Sequence, residues 1–84
     1  MIDYKRIPDY TMDAIRRYLD HHLQPGGFLL AVLSNDLREA VGRADENNQQ
    51  ALPDIVSWLY NEAPSTCWGT PERVEQWLEA RRTA

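Results

Sequence analysis

The segment that most constrains the fold is Pro25-Gly26-Gly27-Phe28-Leu29-Leu30-Ala31-Val32-Leu33. A proline that stops the preceding helix and two glycines that turn freely lead straight into the most apolar run of the chain. Leu37, Ala40 and Val41 extend that run at helical spacing, so it covers more than half of a helix circumference. The pattern predicts a central helix over residues 27–43, buried almost all round in its first turns. The first amides of a helix lack internal partners and carry partial positive charge, which makes Gly26 and Gly27 a candidate anion cradle as well as a turn.

Three further helices follow from the same periodicity. Ile15, Leu19 and Leu23 recur every four residues, and Thr11 is a candidate cap, giving a first helix over 10–23. Leu52, Ile55, Val56 and Leu59, extended by Trp58 and Tyr60, mark another over 46–62. Its start is open: near Leu52 with Pro53 in the first turn, or near Asp45 with a kink at Pro53. Thr70-Pro71-Glu72 places a cap, a first-position proline and a first-turn acid ahead of Val74, Trp77 and Leu78, which gives a last helix over 70–82. No strand alternation, repeat or low-complexity stretch interrupts this order. The expected fold is all-α, a compact bundle of about four short helices in a single domain over residues 1–84.

Eighty-four residues, 43% of them hydrophobic, suffice for one core and not two. Self-association would help so small a chain, and a homo-oligomer is expected. The net charge of −4 opposes general nucleic-acid binding, although Lys5-Arg6, Arg16-Arg17 and Arg81-Arg82 leave room for a local positive patch. Cys67 is the only cysteine, which excludes an internal disulfide framework and a thiolate zinc cluster. The N-terminus lacks a leader's apolar core, and no stretch approaches the roughly 20 apolar residues that span a bilayer. A cytoplasmic protein without membrane contact is expected.

No reaction is spelled out. His21 and His22 are adjacent, diverge by about 100° on a helix and read as a solvated helix end rather than a metal site. Cys67 has no local base and reads as a small buried hydrophobe. Asp36 and Glu39 have acid–base chemistry available, but their spacing alone does not select it. No cofactor, metal or catalytic residue is therefore assigned. The polar set Asn35, Asp36, Glu39, Arg43, Asp45 and Asn48 reads either as a network between helices or as a site in which Arg43 meets a phosphate and Asn35 or Asp36 meets a base edge or ribose hydroxyl. Trp68 stands outside every periodic pattern and is a candidate stacking surface or interface anchor.

At Pro25-Gly26-Gly27-Phe28-Leu29, Ala31-Val32-Leu33-Ser34-Asn35-Asp36-Leu37, Arg43-Ala44-Asp45, Tyr60-Asn61-Glu62-Ala63-Pro64 and Cys67-Trp68-Gly69, the chain resembles small proteins encoded by tailed bacteriophages and prophages. The resemblance covers most of residues 7–80. It brings no catalytic motif and implies a viral product acting in the cytoplasm of a bacterial host. Small phage proteins include counter-defence factors that sequester nucleotide immune signals, an analogy of context rather than of binding residues. The expected function is non-enzymatic sequestration of a small anionic, nucleotide-derived signal in a pocket at a homo-oligomer interface. Its candidate residues are Gly26, Gly27, Phe28, Asn35, Asp36, Arg43 and Trp68. The competing expectation is an inhibitor or adaptor that contacts a host or phage protein through Trp68 and acidic helix faces.

Overall fold

Helix α1 spans Asp9–His21, and its buried stripe is Thr11, Ile15 and Tyr18. The computed structural model describes residues 4–83, with side chains through residue 81. Residues 1–3 and 84 and the Arg82 side chain, on which the leader and paired-arginine readings partly rest, lie outside the described residues. Thr11 does not cap α1. It sits one turn inside the helix, where its hydroxyl donates to Asn48 Oδ1 at 2.7 Å, and the Pro8 carbonyl accepts from the Thr11 and Met12 amides. The helix stops two residues before the expected Leu23, because His22 adopts φ 55° and closes the end: its amide bonds to the Tyr18 carbonyl and the Leu23 amide to that of Arg17.

Helix α2 covers Gly27–Leu33 and buries Leu29, Ala31, Val32 and Leu33. The expected helix over 27–43 is two helices. Asn35 takes φ 62°, the left-handed region an asparagine tolerates, and Asp36 then accepts from the Glu39 amide at 3.2 Å as the cap of α3, Leu37–Arg43. The polar residues read as a site thus break the helix. Only Ala40 of α3 is buried; Leu37 is 68% exposed and Val41 is exposed as well, against the expectation that both belong to the core.

Helix α4 runs over Glu46–Glu62, starting at Asp45, whose carboxylate accepts from the Asn48 amide at 2.7 Å. Pro53 lies in its interior on the exposed side, and Asn48, Ala51, Ile55 and Leu59 face inward. Val56 and Tyr60 point outward, which corrects their assignment to the buried stripe. A 3-10 turn at Ser65–Cys67 leads to α5, Pro71–Thr83, capped by Thr70 Oγ1 accepting from the Arg73 amide. Among the described residues there is no strand, so the fold is all-α with five helices rather than about four.

One continuous core joins Ile15, Tyr18, Leu33, Ile55, Leu59 and Cys67. Tyr18 fastens three segments. Its buried hydroxyl donates to the Cys67 carbonyl at 2.7 Å, and its own carbonyl accepts from Trp77 Nε1 at 2.8 Å. His22 is no solvated end: its Nδ1 donates to the Trp77 carbonyl at 2.8 Å, and its ring lies 4.5 Å from the Trp77 ring. The free carbonyl at the end of α2, on Leu33, accepts from Gly69, which adopts φ 110°. No helix of the described chain is long and apolar enough to cross a membrane.

Candidate functional site

Arg43 crosses back over the start of α2. A Cβ placed on Gly27 would lie 2.8 Å from Arg43 Nη1 and 3.3 Å from its Cδ, so the missing side chain at position 27 is the space the arginine occupies. Glu39, one turn earlier on α3, accepts from Arg43 Nε at 3.0 Å and fixes the direction of the guanidinium. A guanidinium carries five N–H donors; this ion pair engages Nε, while Nη1 lies against Gly27. With more than half of each side chain exposed, the Glu39–Arg43 pair orients more than it stabilises.

Two hollows meet at this arginine. The first, about 290 Å³, is an open groove between the start of α2, one face of α1 and the start of α4. Gly26, Gly27 and Phe28 line it from the start of α2, Tyr10, Thr11 and Ala14 from α1, and Arg43, Asp45 and Asn48 from the junction of α3 and α4. The second, about 470 Å³, lies between α2 and α3 under Pro71, lined by Gly27, Leu30, Ser34, Asp36, Glu39 and Arg43.

The end of the groove is prearranged. Asp45 Oδ1 accepts from the Asn48 amide and Oδ2 from the Tyr10 hydroxyl at 2.5 Å, tying α1 to the first turn of α4. The Tyr10 hydroxyl holds the Asp45 carboxyl below its usual range, with the backbone amides at the start of α4 acting the same way. Reciprocally, the bond to Asp45 raises the Tyr10 phenol. Beneath them the Thr11–Asn48 bond satisfies both buried polar groups.

The groove gathers four of the seven expected residues: Gly26, Gly27, Phe28 and Arg43. Asp36 joins Gly27 and Arg43 in the second hollow, where it caps α3. Asn35 is exposed in the turn and lines neither hollow. Trp68 is elsewhere, half-buried against the core beside Tyr60, Ala63 and Arg73 around a recess of about 240 Å³. The pairings of Tyr10 with Asp45 and of Thr11 with Asn48 carry no local sequence signal, since the partners are 35 and 37 positions apart.

The charge balance of the two hollows defines what fits. In the groove Arg43 stands against Asp45, so a ligand there needs a group for each; in the second hollow Asp36 and Glu39 outnumber Arg43 and disfavour an anion. A ligand with an anionic end for Arg43, hydroxyl or amino donors for Asp45 and a flat face for Tyr10 and Phe28 matches every wall of the groove. Among the described residues no group of three or more histidine, cysteine or acidic side chains is arranged to hold a metal ion. Comparison of the chain with protein-family models, curated proteins and solved structures finds no match.

Proposed function

We propose that this chain is a non-enzymatic binding protein that takes a small nucleotide-derived anion into the groove between α1, α2 and α4. In the phage setting that the sequence resemblance implies, binding withdraws an immune signal from the host cytoplasm. The observation that carries the reading is the guanidinium of Arg43 laid over Gly27, in a groove that Tyr10 and Phe28 also line. The phosphate meets Arg43, a sugar hydroxyl or base amine meets Asp45, and the ring lies against Tyr10 or Phe28.

The displaced groups give no support to turnover. Asp45 moves down and Tyr10 up, while burial pushes Tyr18 up and the Cys67 thiol up to about 11. All four move away from neutrality, the opposite of what general acid–base or thiolate chemistry needs. Isothermal titration with cyclic dinucleotides, cyclic mononucleotides and ADP-ribose-type compounds tests the reading. One class is expected to bind with a Kd of about 10 μM or better, and no heat from any of them at about 1 mM contradicts it.

A protein partner is the second reading. The observation in its favour is the exposure of Leu37 and Val41, which stand one turn apart on α3 with only Ala40 of that helix buried. Co-purification of one stoichiometric host protein, lost with Leu37→Asp, together with silence in every nucleotide titration, would establish it in place of the first.

A further inference from the structure

The outward face of α4 is unlike the rest of the surface. Gln49, Pro53, Val56 and Tyr60 follow one another at steps of four, three and four, so they form one stripe along three turns, and all four are exposed. Tyr60 is 79% exposed, the most open large apolar side chain among those described. Between Asn47 and Asn61 the sequence holds one charged residue, Asp54, which is off the stripe and half-buried; over the whole chain 26% of residues are charged. Gln50 and Asn61 border the stripe with uncharged polar groups, and its two ends carry exposed Glu46, one turn before Gln49, and Arg73, in the recess beside Tyr60. Loss of charge around apolar and aromatic residues, with a polar rim, marks the centre of a protein–protein interface.

We propose that this stripe is the surface through which two copies of the chain associate about a two-fold axis. The proposal does not rest on the ligand groove. Two copies of a protein with net charge −4 repel one another at most approaches, and α4 offers a face on which no like charges meet. Across a two-fold the same patch supplies its own charge complement, because the end that carries Glu46 in one copy meets the end that carries Arg73 in the other.

Run antiparallel with the axis between Pro53 and Val56, the stripe matches its own reverse. Tyr60 of one copy lies over Gln49 of the other, and Pro53 faces Val56. Beyond Tyr60 the surface falls into the recess formed with Ala63, Trp68 and Arg73, which receives the start of the opposing helix. The exposed pair on α3 is a poorer candidate, since Leu37 and Val41 are interleaved with Arg38, Glu39 and Arg43.

The area sets the strength. Three turns of helix make a strip roughly 16 Å long and 10 Å wide, and even with the recess this is less than the about 800 Å² per partner of a standard stable interface. The association is therefore weak and shows mainly at the high-concentration end.

Sedimentation equilibrium of the full chain from about 5 μM to 1 mM tests it. The apparent mass is expected to climb from the 9.8 kDa of one chain toward twice that value, with little change between low and high salt. Tyr60→Glu is expected to weaken association at least about tenfold; a side chain so exposed can be changed without unfolding the protein, which circular dichroism verifies. Val56→Glu should act in the same direction, and Leu37→Glu should leave the curve unchanged. A mass fixed at one chain up to 1 mM overturns the proposal, as does association that Tyr60→Glu leaves intact or Leu37→Glu abolishes.

Discussion

At the scale of single residues, position 27 separates stability from binding. Gly27 is the first residue of α2 and lies outside the left-handed region, so alanine suits its backbone; what alanine meets is the far end of a flexible arginine. Gly27→Ala is expected to keep the melting free energy within about 0.5 kcal/mol of wild type while moving the Arg43 guanidinium out of place. Ligand affinity should then fall about tenfold in calorimetry, equivalent to about 1.4 kcal/mol. Equal affinity in the variant would detach Arg43 from the site. Gly27 and Arg43 were both singled out by residue type, one as a possible amide cradle and one as an anion partner, but their meeting depends on α3 folding back along α2. Tyr10 carries no local signal for its role, because its partner Asp45 lies 35 positions away.

At the scale of elements, the break between α2 and α3 shows what helical periodicity conceals. Leu29, Leu33, Leu37, Ala40 and Val41 keep a helical rhythm across the break, so apolar spacing alone joins the two helices. The signals for the break were present in Asn35, which accepts a left-handed backbone, and in Asp36 followed three residues later by Glu39, a start-of-helix pattern. Those side chains had been weighed for ligand chemistry, and their first task is local geometry. Asp36→Ala should cost about 1 kcal/mol, confined mostly to α3. In hydrogen exchange the amides of α3 should open about fivefold more readily while those of α4 stay protected. Uniform loss of protection would mean that α3 is integral to the core. The last helix was fully legible, because Thr70 and Pro71 act locally; Tyr60 was misplaced because a helical aromatic satisfies a stripe whichever way the helix turns.

At the scale of the whole molecule, stability should form a plateau bounded by two different groups. Asp45 has a lowered pKa when folded, so its contribution is present above the ordinary aspartate value and is lost as pH falls below about 4. Cys67 is fully buried and its thiol rises from 9.0 to about 11, so the unfolded chain ionises first and stability declines as pH rises through that window. Tyr10 and Tyr18, both raised, steepen the loss above pH 10. Denaturant unfolding of Cys67→Ala should shift the alkaline decline toward pH 10 without altering the acid limb; an unchanged onset near 9 would place the titrating group elsewhere. Within the plateau the groove remains built, since the Tyr10–Asp45 bond that closes its end is intact there. An amide-resolved NMR titration with the tightest-binding nucleotide tests whether that groove is the ligand site. Saturable shifts are expected at Gly26, Gly27, Phe28 and the Arg43 side chain, with those of the three backbone positions absent in Arg43→Ala; shifts confined to Tyr60 and Trp68, or no shifts at all, would place the ligand site elsewhere or remove it.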